Sequence, residues 1–409
     1  MDTKRNGYKL ITILIVAMLF TAVMLNGCSC TDSDVHHPGS MPSIYTELTA
    51  TTDSEPTGTL TNGATSDSMF PYESALYLRA KELLDTMTLD EKVGQMFFVR
   101  CPSEDAVQKL NKYHIGGYIL FANDFKDKTF SEAERMIAEY LSTELTPFIA
   151  VDEEGGTVNR VSKFKAFRDE PFKSPKELYK NGGFEAIRAD TAEKCALLKI
   201  LGINFNFAPV CDISMNPLSF IYRRSFGKDA QATSEYVKTV VEEMKLNGMG
   251  SVLKHFPGYG DNIDTHHDIG RDTRPYSTFL ESDFLPFCAG INAGADMVMV
   301  SHNIMACVDE NYPSSLSPAV HALLRDDLNF NKVIITDDLA MSGADEIASG
   351  GEGAILAVLA GNDMLCCSDF ETRIPAVIEA VKRGELSIER IDESVLRILM
   401  LKLEMGLIA

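Results

Sequence analysis

Short apolar runs separated by amphipathic segments set the pattern of this chain. The runs fall at residues 93–99, 117–121, 147–151, 203–210, 251–253, 295–300, 333–335 and 363–365. They are continuous rather than alternating, as expected of strands buried on both faces. Between them, residues 131–145, 184–201, 232–247, 276–293 and 375–381 carry apolar positions at helical spacing. A first amphipathic helix is predicted at 75–87, ALYLRAKELLDTM. Strands alternating with helices in this number predict an α/β fold, a (β/α)8 TIM-type barrel forming one domain over 71–409. A doubly wound open sheet, the competing arrangement, would want a glycine-rich turn after its first strand. Residues 93–103 hold no glycine beyond Gly94.

In a barrel the carboxyl ends of the strands converge on one face, so polar strand ends are informative. Strand three ends in Asp152, Glu153 and Glu154, and strand five at Lys254 and His255. Strand six ends in Ser301, His302 and Asn303, strand seven in Thr336, Asp337 and Asp338, and Arg223 and Arg224 stand between strands four and five. Together they read as a pocket for a polar, hydroxyl-rich ligand. Asp338 is expected to cap the next helix, whereas Asp337, last on its strand, is aimed where a substrate would lie. The densest group is 254–268, KHFPGYGDNIDTHHD, in which Pro257, Gly258 and Gly260 mark tight turns. Asp264 and His266, two apart, let a carboxylate hold an imidazole in one tautomer, which makes a proton donor and acceptor near neutral pH. The run is also compatible with a metal-binding or a solvated polar loop.

The amino terminus bears on location. Lys4, Arg5 and Lys9 precede an apolar run over 10–25 and then Leu25-Asn26-Gly27-Cys28. A basic stretch, a short apolar stretch and a small residue before cysteine describe a secretory signal over 1–27. The ending is similar to a bacterial lipoprotein cleavage site, which would leave Cys28 lipidated and the protein tethered to the membrane outside the cytoplasm. An uncleaved anchor would need ~20 apolar residues to span, more than this run holds. Residues 28–70 are rich in Ser, Thr, Gly, Pro and Asp without Lys or Arg. They are expected to be a disordered linker, with a coil reach of ~35 Å.

Composition narrows the partners. A formal charge of −21 argues against nucleic acid as a partner. The nine cysteines show no C-x-x-C pair and no zinc spacing, and Cys366 and Cys367 read as buried thiols on a core strand. By residue type His255, His266 and His267 could hold a metal. The absence of tryptophan favours a pocket that trims chain ends over a long stacking cleft.

Five blocks in order carry a resemblance: VDEEGGTVNR, FNFAPVCDI, RRSFG, KHFPGYG followed by DTH, and TDDLAM followed by SGA. They resemble glycoside hydrolase family 3. Within it they are most similar to the single-domain β-N-acetylhexosaminidases that release N-acetylglucosamine from peptidoglycan fragments. The resemblance runs from about Ala75 to the carboxyl terminus, whose ESVLRILMLKLEMGL is similar to the end of the family's barrel domain. It implies that Asp337 is the nucleophile and that His266, paired with Asp264, is the acid/base. It further implies that Asp152, Arg160, Arg224, Lys254 and His255 hold the terminal sugar. His267 is expected to be a solvated neighbour. The family's two-domain β-glucosidases take their acid from a second domain. The end of this chain at Ala409 fits the His-Asp branch instead. Tyr259 stands where the family usually has histidine and Thr157 where it has arginine, both near the sugar. The implied chemistry is retaining, through a covalent glycosyl-enzyme, with no cofactor and no metal. A neutral imidazole avoids a second anion beside the nucleophile. A β-glycosidase of other specificity, a phosphorolytic variant and a tethered sugar-binding lipoprotein without turnover are the alternatives.

Overall fold

The computed structural model describes residues 74–260, 270–345 and 347–409. The expected signal at 1–27, Cys28, the linker through residue 70, and Asp264, His266 and His267 lie outside the described residues.

Eight parallel strands form the barrel: β1 Phe97–Arg100, β2 Gly117–Leu120, β3 Phe148–Val151, β4 Phe205–Asn206, β5 Gly250–Phe256, β6 Met297–Val300, β7 Val333–Thr336 and β8 Leu365–Cys367. They pair in the order β8-β1-β2-β3-β4-β5-β6-β7, with Phe98 opposite both Gly117 and Cys366. An Ile335–Met364 bridge, and the Thr336 N–H donating to the Met364 carbonyl at 3.1 Å, join β7 to β8 and complete the ring. Apart from Arg100, every residue of these strands is buried, which is why their sequences read as unbroken apolar runs. Inside, Phe98 packs against Phe148 and Phe207 at ring-centroid distances of 6.1 and 5.0 Å, and Phe148 against Phe205 at 5.0 Å.

The helices outside the ring are α1 Ala75–Thr86, α2 Leu89–Gln95, α3 Ala106–Tyr113, α4 Phe130–Leu141, α5 Pro175–Ile200, α6 Ala230–Leu246, α7 Phe284–Ala293, α8 Gly350–Ala360, α9 Phe370–Lys382 and α10 Ile388–Glu404. Local chemistry sets their starts. Thr88 with Glu91, and Thr129 with Glu132, form capping boxes, while Ser74, Ser174, Asp229 and Ser387 accept a first-turn N–H.

Several boundaries differ from the sequence expectation. The run at 93–99 splits: residues 93–95 finish α2 and the strand begins at Phe97. The Thr88–Glu91 box starts the helix at Leu89, and an apolar run this short does not separate strand from helix. Of 203–210, only Phe205–Asn206 is a strand, because Pro209 has no N–H to offer a ladder; Val210 rejoins through a bridge to Lys254. Strand β5 runs three residues past Leu253, through Lys254 and His255, with a register shift against β6. The helix expected at 184–201 is the second leg of α5, after Gly182 and Gly183 leave helical geometry.

The amino-terminal end of the barrel is held by buried charge. Asp363, just before β8, accepts from Arg325 Nη2 at 2.5 Å, Arg397 Nη1 at 2.9 Å, Ser394 Oγ at 2.9 Å and the Ile334 N–H at 2.9 Å. Burial pushes its carboxyl up, but Arg397, Arg325 and Arg390 outweigh that and bring it down to about 2. Lys402 of α10 donates to Gln95 Oε1 at 2.6 Å and to the Thr146 carbonyl at 2.7 Å. Burial pushes that ammonium down to about 7. Charge buried at this end serves stability, and in such barrels the opposite, carboxyl-terminal face carries the chemistry.

Replacing Asp363 by Asn is expected to destabilise the barrel by about 3–5 kcal/mol at neutral pH, because buried guanidiniums lose their counter-charge. The folded carboxyl lies below its unfolded value, so its contribution is present above about pH 4 and disappears as pH falls toward about 2. Urea midpoints at pH 7 and in acid check this: the gap between wild type and Asp363→Asn should narrow in acid.

Candidate active site

Strand β3 delivers three consecutive acids whose fates differ. Glu153 turns into the protein and organises backbone. Its Oε2 accepts the N–H groups of Arg160 and Val161 at 2.8 Å each, and its Oε1 accepts from the Ser162 N–H at 3.2 Å and from the Ser162 hydroxyl. Asn206 at the end of β4 donates to the Glu153 carbonyl at 3.1 Å and accepts its N–H at 2.9 Å. The loop is thereby folded back so that Arg160 Nη2 donates to Asp152 Oδ2 at 3.1 Å.

Asp152 and Glu154 flank one ammonium. Lys254 Nζ, on β5, lies 2.8 Å from Asp152 Oδ1 and 2.7 Å from Glu154 Oε1, and its side chain is 2% exposed. Arg224 supplies the second cation for Glu154, with Nε at 3.1 Å from Oε2 and Nη2 at 2.8 Å from Oε1. That two-pronged geometry is the strong form of the pair. Burial raises the Asp152 carboxyl, but Lys254 and Arg160 outweigh it and hold it below its ordinary value. Burial likewise raises Glu154, and Arg224 and Lys254 hold it far below the usual carboxylate range. Both are anions at neutral pH. A short helical turn at Phe220–Arg223 brings Arg224 inward and leaves Arg223 exposed.

His255 is fixed on both ring nitrogens. Its Nδ1 is 2.7 Å from Asp212 Oδ2, and its Nε2 is 3.1 Å from Arg224 Nη2. A guanidinium only donates, so Nε2 is the acceptor and Nδ1–H points to Asp212. Asp212 also accepts the His255 N–H at 3.1 Å and the Tyr259 N–H at 2.8 Å. The His255 ring meets Tyr259 at 5.2 Å, and Tyr259 meets Phe220 at 4.9 Å, both edge-on. Tyr259 is buried and Thr157 exposed.

Asp337 follows β7 directly. Its N–H donates to the Val300 carbonyl at 2.9 Å, and its Oδ1 accepts the Asp338 N–H at 2.9 Å. The Cys366 thiol on β8 is pushed well above its ordinary value, first by burial and then by Asp338, Asp337, Cys367 and Asp152. Asp337, next after β7, and Asp152, next after β3, both stand at the carboxyl ends of their strands. Asp338 does not cap a helix as expected: its Oδ1 accepts the Ala340 N–H at 3.0 Å and closes a turn. His302 links β6 to that turn, with Nε2 donating to the Asp338 carbonyl at 2.9 Å and Nδ1 2.7 Å from Ser315 Oγ.

Asp152, Arg160, Arg224, Lys254 and His255 are thus brought together, Asp337 stands on the same face, and Asp264 and His266 are outside the described residues. Sequence reasoning did not assign Glu154, the second partner of Lys254, or Asp212, which orients His255. The one signal for Asp212 was its place just past strand four, in FAPVCDI. Among the described residues no group of three or more His, Cys, Asp or Glu side chains is placed to hold a metal ion. What the arrangement offers is fixed donors and acceptors of both signs, suited to vicinal hydroxyls.

Residues 88–401 match the family model described as the glycosyl hydrolase family 3 N-terminal domain. A β-hexosaminidase of Xanthomonas campestris pv. campestris is 34% identical over 257 residues, which is 61% of this chain and 76% of that one. β-Hexosaminidase LpqI of Mycobacterium tuberculosis is 29% identical over 325 residues, 76% and 82% of the two chains. Among solved structures, a family 3 β-N-acetylglucosaminidase from Paenibacillus sp. str. FPU-7 superposes with a TM-score of 0.74 at 30% identity. The match covers 79% of this chain and 64% of the Paenibacillus enzyme.

Lys254→Met is expected to cost about 3–5 kcal/mol, because two buried carboxylates lose their shared cation. Adding Glu154→Gln should return part of that stability without returning activity. Chemical denaturation of the single and double variants, with turnover on a chromogenic glycoside, checks both.

Proposed function

This chain belongs to glycosyl hydrolase family 3 and is a glycosidase, and we propose that it is an exo-acting, retaining β-N-acetylhexosaminidase. Its substrate would be terminal β-linked N-acetylglucosamine on peptidoglycan-derived or related oligosaccharides. The observation that carries this reading is the pairing of Lys254 with Asp152 and Glu154, beside Arg160, Arg224 and His255, on the barrel face where Asp337 follows β7. The hexosaminidase and N-acetylglucosaminidase names of the similar proteins support the choice of sugar.

Asp152 and Glu154, kept ionised by their cations, accept from sugar hydroxyls, while Lys254, Arg160 and Arg224 donate. Their fixed geometry orients the ring so that Asp337 meets the anomeric carbon. A bond forms between an Asp337 carboxylate oxygen and that carbon as the glycosidic bond breaks, and His266 delivers its proton to the departing oxygen. Water then attacks the same carbon, gives its proton to His266, and frees Asp337. Asp264 accepts from the imidazole N–H and steadies the cation formed when His266 is protonated.

The location is part of the proposal. Lys4, Arg5, Lys9, the apolar run at 10–25 and Cys28 support export and lipid tethering, with 28–70 as the spacer. Such a tether holds the barrel near the cell wall, where N-acetylglucosamine is abundant. Cys28→Ser is expected to move the protein from the membrane fraction to the soluble fraction. Retention in the membrane would mean another anchor.

Two kinetic outcomes follow. The nitrophenyl β-N-acetylglucosaminide should be turned over well and the β-glucoside poorly, and Asp337→Ala should lower kcat by about 10³-fold or more. His266→Ala should lower it by about 10²–10⁴-fold. Fresh product followed by proton NMR should show the β-anomer first, and inorganic phosphate should leave product and rate unchanged. The α-anomer first, or a sugar phosphate, would overturn the mechanism.

A further inference from the structure

Both described ends of the stretch that carries Asp264 and His266 meet one guanidinium, that of Arg274. On the entering side the chain leaves β5 through Pro257, with Gly258 at φ +114° and Gly260 at φ +55°. A Cβ on Gly258 would lie 2.7 Å from Asp283 Oδ1, and one on Gly260 would lie 2.7 Å from Arg274 Cζ. Backbone therefore passes in direct contact with the Arg274–Asp283 pair, with no space for a side chain at either position.

On the returning side the Gly270 carbonyl accepts the Ile304 N–H at 2.7 Å, and Arg271–Asp272 pairs in parallel with Ile304–Met305. Asp272 then accepts from the Arg274 N–H at 3.0 Å, from Nε at 3.0 Å and from Nη2 at 2.7 Å. The other edge of the same guanidinium reaches Asp283 just before α7: Nη1 lies 3.0 Å from Oδ2 and Nη2 2.9 Å from Oδ1. Its Cζ lies over the Phe279 ring, 4.6 Å from the centroid. Both carboxylates are 3% exposed. Burial pushes the Asp283 carboxyl up to about 6, Arg274 pulls against it, and Asp272 and Asp212 add to the rise. Without Arg274, two buried acids would face each other across the entry to the stretch.

We infer that Arg274 is a positioning residue for acid/base catalysis, its two-edged fork joining Asp272 to Asp283 at the start of α7 while the backbone of Gly260 passes against it. The described residues on either side of 261–269 are thereby set against the same Arg274–Asp283 pair. The inference rests on the reading of His266 as the acid/base. Only a planar group with donors on two edges can serve Asp272 and Asp283 together while stacking on Phe279; an ammonium keeps the charge and loses the fork.

Leaving-group dependence separates positioning of an acid from simple support of the fold. A dinitrophenyl leaving group departs without a proton, whereas methylumbelliferyl or a second sugar needs one. We would measure kcat/KM on the dinitrophenyl and methylumbelliferyl β-N-acetylglucosaminides for wild type, His266→Ala, Arg274→Lys and Gly260→Ala. Gly260→Ala presses a methyl onto the guanidinium from the other side while leaving the charged cluster intact. His266→Ala is expected to lose about 10²-fold or more on methylumbelliferyl and far less on dinitrophenyl. Arg274→Lys and Gly260→Ala should share the bias, losing about tenfold or more on methylumbelliferyl and about twofold on dinitrophenyl, within the range that acid catalysis spans. Equal losses on both substrates in these two variants, with His266→Ala still biased, would overturn the positioning role alone. An unbiased His266→Ala would overturn the acid/base reading and this inference with it.

Discussion

Lys254 places one ammonium between Asp152 and Glu154 at the mouth of the barrel, and much of the site follows from that. Two acids from one strand end can be ionised in a buried place only if a cation lies against both. Lys254 is on β5, two strands from β3, so the pairing also fixes how far apart those strand ends stand. Arg224 and Arg160 each add a second cation to one acid. His255, next in sequence to Lys254, then receives Arg224 on one nitrogen and Asp212 on the other. Its tautomer is set by the same chain of pairings. The result is a rigid polar surface whose donors and acceptors are already paid for by one another, so that a ligand's hydroxyls meet groups needing little reorganisation.

The two ends of the barrel use buried charge differently. At the amino-terminal end Asp363 is enclosed by guanidiniums from the segment before β7 and from α10, together with backbone, and nothing of it is exposed. That hub joins helices to the ring. At the carboxyl-terminal end the same types of residue keep one edge accessible: Arg160 and Arg224 side chains are 25% and 19% exposed. Partial exposure is what lets paired charges also contact a ligand.

Much of this was legible in the sequence because parallel strands buried on both faces leave continuous apolar runs, and because polar residues at their carboxyl ends share one face. Asp152, Arg224, Lys254 and His255 could be grouped on that basis, and Arg160 joined them only through the resemblance of its block to a known family. What was not legible depends on partners distant in the chain. Glu154 and Asp212 look like any acid near a strand end until Lys254 and His255 are folded against them. Residues 93–95 belong to a helix because a cap at Thr88 starts it, a signal that competes with the apolar run itself. Asp338 has the composition of a helix cap but closes a turn, since the residues after it do not begin a helix until Ser342. Arg274 carries no motif; its importance comes from two acids and two glycines brought around it.

The central claim is that Asp337 attacks the sugar. The direct measurement is peptide mapping by mass spectrometry after reaction with a fluorinated N-acetylglucosaminyl fluoride, which forms the glycosyl-enzyme quickly and releases it slowly. The account predicts a single sugar adduct on the Asp337 carboxylate, absent from Asp337→Ala. An adduct on another carboxylate, or turnover of the reagent with no covalent species in wild type, would contradict it.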